Sequence, residues 1–136
     1  MRFVLDASAA LNLCFRESDD IADFLFDSFS DGTAVIPSLW NLEIKNAFLT
    51  AERRNRVSRA EIGHVWTVLT TLPVEEVEGA GRRGMGALRA LAAECNLSAY
   101  DAEYLYVALR DALPLVTADI GLQRACREKG VETLPR

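Results

Sequence analysis

The 136-residue sequence has a single histidine, His64, and only three cysteines, Cys14, Cys95 and Cys126. The cysteines are odd in number and far apart, with no C-x-x-C pair and no neighbouring histidine, which excludes a disulfide framework and a zinc site and leaves reduced core thiols. His64 stands beside Val65 and Trp66 in a helical stretch and reads as a packing or surface residue rather than a general base. An excess of positive charge is also missing. With 15 Lys and Arg against 20 Asp and Glu, the net charge of −5 excludes a protein that grips nucleic acid by bulk charge, though not one with a local basic rim. Long hydrophobic runs are absent too: Arg, Glu or Asp interrupts each stretch before the roughly 18 apolar residues of a membrane span. The most apolar beginning, Met1 to Phe15, is broken by Asp6 where a signal peptide needs an unbroken core. A cytoplasmic protein with no membrane partner is expected.

The remaining composition, 50% hydrophobic and 26% charged, supports one core and one domain over residues 1–136, with no internal repeat and no low-complexity tail. Short apolar runs at Arg2 to Asp6, Thr33 to Pro37, Pro73 to Val77, Pro114 to Thr117 and Val131 to Leu134 predict strands. Between them lie helical patterns. Ile21, Phe24, Leu25 and Phe29 share one face of a helix over Asp20 to Phe29, and Trp40, Ile44, Ala47, Phe48 and Ala51 share one over Trp40 to Glu52. Ser58-Arg-Ala-Glu61 is a capping-box pattern opening a helix to about Leu72, and Ser98-Ala-Tyr-Asp101 opens a similar one to about Ala112. Further helices are expected after Asp6 to Phe15, over Gly84 to Cys95, and over Ile120 to Lys129, the last closed by Gly130. The alternation predicts an α/β fold, a three-layer α/β/α domain with a mostly parallel central sheet of about five strands. The glycine-rich segment from Glu75 to Gly86 reads as a mobile connection within it.

In open α/β sheets the functional crevice lies beyond the carboxyl ends of the strands. Asp6 and Asp119 occupy such places, and each can equally serve as the N-cap of the helix that follows. Glu43 and Asp101 lie in first turns of helices, where acids are favourable for ordinary reasons, and Asp101 can be the N3 partner of Ser98. Glu43 borders the apolar stripe of its helix and should be partly buried. Four carboxylates gathered together would repel by about 1 kcal/mol per pair in water and roughly 4 at an effective dielectric of 20, so such a cluster would call for a cation. Oxygen ligands without His or Cys suit Mg²⁺, or Mn²⁺ in its place, and phosphodiester hydrolysis is the natural chemistry of such a site.

Four segments carry a family resemblance: Val4-Leu-Asp-Ala-Ser8, Pro37-Ser-Leu-Trp-Asn-Leu-Glu-Ile-Lys-Asn46, Leu97-Ser-Ala-Tyr-Asp-Ala-Glu-Tyr104 and Pro114-Leu-Val-Thr-Ala-Asp119. In order and separation, over nearly the whole chain, they resemble PIN-domain ribonucleases of the VapC toxin type. The resemblance implies a single PIN-like nuclease domain acting as an endoribonuclease, with Asp6, Glu43, Asp101 and Asp119 holding Mg²⁺ for RNA cleavage. It also suggests that Ser8, Asn46 and Thr117 orient the carboxylates or metal-bound waters, with helix capping an equal alternative for Ser8 and Thr117. A cognate antitoxin and a homodimer are implied by the resemblance alone.

Arg53-Arg-Asn-Arg56 closes the helix carrying Glu43, where cations suit a helix C-terminus, with binding to an RNA backbone the alternative reading; Arg82, Arg83 and Arg89 offer contacts to phosphate or to an acidic partner. Phe24, Leu25, Phe26 and Phe29 exceed what one helix face requires, which suggests an interface with a second copy or an antitoxin. Two rival readings stand beside the nuclease. An aspartyl-phosphate phosphotransfer domain lacks its marks here, since Asp6-Ala-Ser8 has no second aspartate and no late strand-end lysine appears. A non-catalytic α/β binding module would have its four acids as helix caps only and would bind no metal.

Overall fold

A computed structural model describes residues 1–136. Five strands, β1 (Arg2–Leu5), β2 (Thr33–Pro37), β3 (Val74–Val77), β4 (Leu115–Val116) and β5 (Thr133–Leu134), alternate with seven helices. The helices are α1 (Ala7–Phe15), α2 (Asp19–Ser28), α3 (Leu39–Arg53), α4 (Arg59–Thr70), α5 (Met85–Cys95), α6 (Ala99–Asp111) and α7 (Ile120–Lys129). Each expected element is present, with ends shifted by a few residues at most. The sheet is wholly parallel, which tightens the expectation of a mostly parallel one.

The apolar runs become central strands because both faces of the sheet are covered. Successive side chains of a strand point to opposite faces, yet Phe3, Val4 and Leu5 are all fully buried, as are Ala34 and Val35 of β2 and Leu115 and Val116 of β4. Each large side chain removed from water in this way contributes about 1.5–3 kcal/mol. Phe3 meets Phe24 and Phe29 around α2, while α6 lies across β1, β2 and β4 with Ala102, Tyr104, Leu105, Val107 and Ala108 buried. Phe24 and Phe29 of the phenylalanine-rich helix are therefore spent on the core, and Phe26 alone of that group is broadly exposed. At one edge of the sheet β3 shows Val74, Glu75 and Glu76 to solvent, the charged border expected of an edge strand.

Helix ends follow the local signals. Ser58 and Glu61 form the reciprocal capping box that opens α4, and Gly130 ends α7 at φ 73°. Cys14, Cys95 and Cys126 are free thiols, the last two buried, and no helix is long and apolar enough to cross a membrane.

The strand order is β3-β2-β1-β4-β5. The chain builds outward from β1 through β2 to β3, then returns to the other side of β1 for β4 and β5. Progression thus reverses between β1 and β4, the switch point at whose carboxyl edge ligand crevices of open α/β sheets lie. The residues that follow the two strands are Asp6 and Thr117.

Candidate functional site

Asp6 turns β1 into α1. As the N-cap residue it has extended backbone angles, and its Oδ1 accepts the Ala9 N–H at 2.8 Å. The Ser8 hydroxyl donates to the same carboxylate, 2.8 Å from Oδ1 and 2.9 Å from Oδ2, and the Thr117 hydroxyl donates to Oδ2. Ser8 Oγ in turn accepts the Ala118 N–H at 3.1 Å, and Thr117 Oγ1 accepts the Asp119 N–H at 3.0 Å. The loop after β4 is thereby tied to the first turn of α1, with only 2% of Asp6 exposed. Burial pushes the Asp6 carboxyl up to about 6 despite the opposing bonds from Thr117, Ala9 and Ser8, and the charge of Asp101 pushes it the same way.

Asp119 caps α7, its Oδ1 accepting the Leu122 N–H at 2.8 Å while its other oxygen makes no hydrogen bond within the chain. Asp6 and Asp119 are therefore N-caps, and capping occupies one oxygen of each. Asp101 is positioned differently. Ser98 Oγ caps α6 by accepting the Asp101 backbone N–H at 3.1 Å, so the cap uses the main chain and leaves the carboxylate half-buried beside its neighbours. Burial raises the Asp101 carboxyl, with the charge of Asp119 adding to the effect and Ser98 opposing it. Glu43, on the second turn of α3, is half-buried as its place beside the apolar stripe suggests. Its carboxyl is raised first by burial and then by Asp101, against the bond donated by the Tyr104 hydroxyl to Oε1 at 2.7 Å.

Asp101 is the electrostatic hub of the group, since its charge acts on Asp6 and Glu43 and that of Asp119 acts on it. No lysine, arginine or histidine is among the groups that shift Asp6, Glu43 or Asp101, and none is ion-paired with any of the four. Ser8 and Thr117 are hydrogen-bonded into the cluster. Asn46, one turn along α3 from Glu43, is exposed and bonded to none of the four carboxylates, because its side chain leaves the helix on the solvent side.

Neither residue type nor spacing singles out Tyr104. It lies one turn after Asp101 on α6, is 1% exposed, and its hydroxyl proton is held strongly by burial, by its bond to Glu43 and by the charges of Glu43 and Asp6. Its aromatic character marks it in sequence as core, and its position three residues from Asp101 puts it on the same helix face. Nothing local reveals the partner 61 residues away.

An all-carboxylate donor set without nearby His or Cys suits a hard cation such as Mg²⁺ or Mn²⁺, and the uncompensated charge favours one. No three acids stand close enough to chelate an ion unaided. An ion bound here would therefore be held in part through its own waters, as Mg²⁺ commonly is.

A five-stranded parallel sheet of this order, flanked by helices and bearing an acidic cluster at its switch point, defines a PIN-like α/β fold. Among solved structures, the crystal structure of PAE2754 from Pyrobaculum aerophilum is similar at a TM-score of 0.69 and 28% identity, over 92% of this chain and 87% of that one. The crystal structure of VapBC2 from Rickettsia felis, bound to a DNA fragment from its promoter, is similar at a TM-score of 0.60 and 16% identity, over 92% and 93% of the two chains. At 16% identity the second likeness concerns the fold alone. No family model and no curated protein matches the sequence.

Proposed function

We propose that this chain is a Mg²⁺-dependent endoribonuclease of the VapC toxin type, hydrolysing RNA phosphodiester bonds at the acidic crevice. The observation that carries the reading is that Thr117 and Ser8 tie Asp6 to the turn bearing Asp119, while Asp101 acts on Asp6 and Glu43 and is acted on by Asp119, with no basic side chain ion-paired to any of the four. Asp6, Asp101 and Asp119 would hold the ion, in part through its waters, and Glu43 would help to position it or a water. A bound Mg²⁺ or Mn²⁺ supplies Lewis-acid chemistry, activating water and stabilising charge on the phosphate and leaving oxygen.

The chain's own groups prepare that chemistry. Ser8 and Thr117 fix the rotamer of Asp6 from two sides, and Tyr104 anchors one oxygen of Glu43 so that the other is free to face the crevice. The helix cap on Asp119 orients its unbonded oxygen without ordering a long side chain. Both neutralisation and pre-orientation act where a phosphodiester would develop charge.

An RNA substrate, a VapB-type antitoxin, a homodimer and a cytoplasmic setting belong to the same proposal, and they rest on the resemblance carried by the four sequence segments. The binding-module reading draws on the caps formed by Asp6 and Asp119. It leaves the carboxylates of Asp101 and Glu43, half-buried and repelled, without a purpose.

Cleavage of a mixed RNA pool, including tRNA, by purified wild type and Asp6→Asn protein in Mg²⁺, Mn²⁺ or EDTA tests the proposal. Metal-dependent cutting that the substitution abolishes is expected. Full activity in Asp6→Asn, or in Asp101→Asn, would sink the site assignment, and a wild type that neither cuts nor binds an ion would favour the binding module.

A further inference from the structure

Acids outnumber bases 20 to 15, yet Arg53, Arg54, Arg56, Arg82, Arg83 and Arg89 form no ion pair. These cations are exposed and fall in two groups. Both groups reach grooves associated with the crevice edge. A groove of about 450 Å³ is lined by Ser8 and Asp119 of the crevice, by Leu11 and Phe15 farther along α1, and by Arg56 beyond the end of α3. A second, of about 470 Å³, is lined by Pro37 to Leu39, where β2 passes into α3, and by the segment after β3 that carries Arg82 and Arg83. Because every strand runs parallel, the ends of β2 and β3 lie on the same sheet edge as those of β1 and β4. Acids line the grooves as well, Glu17 in the first and Glu78 and Glu103 in the second, of which Glu103 is committed to the Ala80 N–H.

We infer that these two grooves form a track for single-stranded RNA, in which Arg56 on one side and Arg82 with Arg83 on the other bind phosphates flanking the cleaved bond; the inference rests on the nuclease reading. Guanidinium groups suit phosphate oxygens through paired, charge-assisted bonds. The apolar wall of Leu11 and Phe15 gives an unstacked base a surface to lie against, as single-strand recognition requires. Arg56 shares its groove with Asp119, and Arg82 and Arg83 share theirs with the carboxyl end of β2, so unpaired cations at both places explain how a chain of net charge −5 would hold RNA. An acidic protein segment is the competing occupant for the same arginines.

The test measures binding of a short fluorescent single-stranded RNA to the full chain carrying Asp101→Asn, which prevents cutting, with Arg56→Gln, Arg82→Gln/Arg83→Gln or Arg127→Gln added. Arg127 is an exposed, unpaired control in the last turn of α7, roughly a helix length of 15 Å from the crevice edge where that helix begins. Arg56→Gln is expected to weaken binding roughly tenfold, the double change more, and Arg127→Gln little. The slope of log affinity against log salt should fall by about 0.7 for each phosphate that is no longer neutralised. Equal losses in all three variants, or unchanged RNA affinity whether or not binding of a polyglutamate peptide weakens, would overturn the track. Cleavage by the otherwise wild-type chain in Mg²⁺ separates the two ideas. RNA cut by wild type but bound normally by the track variants defeats the track alone, whereas a wild type that neither binds nor cuts RNA defeats both.

Discussion

Asp6 allows the energetics of the crevice to be measured without any substrate. In the unfolded chain its carboxyl titrates near 3.8, and burial in the native chain pushes it up to about 6. Displacement of that size costs the ionised form about 3 kcal/mol, undiminished by solvent screening because the side chain is 2% exposed. Between about pH 4 and 6 the native chain keeps a proton that the unfolded chain has lost. The stabilisation associated with that proton is complete below the unfolded value and disappears as pH rises through the native one. Urea unfolding in EDTA should therefore show stability falling across this window, with raised Glu43 and Asp101 acting in the same direction. Subtracting the profile of Asp6→Asn isolates the contribution of Asp6. At a typical urea slope, 3 kcal/mol moves the midpoint by about 1–3 M. The amide does not recover all of this at neutral pH, because its NH₂ meets the Ser8 and Thr117 hydroxyl protons where the carboxylate accepted them, at about 1–3 kcal/mol. That penalty is nearly independent of pH, so the slope of the difference survives it. A wild-type minus Asp6→Asn difference that is flat from pH 4 to 7, or that rises with pH, would refute the reasoning.

Other consequences can be checked separately. Thr117→Val keeps the shape of the side chain but removes a donor to Asp6, so the Asp6 carboxyl should titrate still higher than about 6 by NMR, with about 1–2 kcal/mol lost at neutral pH. Tyr104→Phe removes only the hydroxyl that holds Glu43 and should weaken Mn²⁺ binding about 10-fold or more by paramagnetic titration, with the fold retained by circular dichroism; unchanged affinity would dissociate Glu43 from the ion. At Gly79 an added Cβ would lie 1.8 Å from Glu103 Oε1, so Gly79→Ala should expel that carboxylate from the Ala80 amide, cost about 1–2 kcal/mol, and speed hydrogen exchange at Ala80.

The legible part of this protein is whatever short-range patterns decide. Continuous burial of Phe3, Val4 and Leu5 is written in an apolar run, and the cap on α4 is written in Ser58 and Glu61, because local sterics and the demand for burial act over a few residues. The same logic places Asp6 and Asp119 at strand-to-helix turns, where one carboxylate oxygen caps the helix that follows. Periodicity likewise sets Glu43 beside the apolar stripe of its helix. The resemblance in four separated segments, rather than periodicity, brings the acids into one expectation.

Tertiary structure decided which of these turns meet. Reversal of strand order between β1 and β4 brings Thr117 onto a carboxylate 111 positions earlier, and packing of α6 across the sheet delivers Tyr104 to Glu43. It also turned Asn46 to solvent although Glu43, one turn away on the same helix, faces inward. Such pairings depend on loop closure and on the burial competition among whole elements, which no local window contains. The raised carboxyls have the same origin, since burial and like charge arise only when distant acids are brought into one low-dielectric crevice.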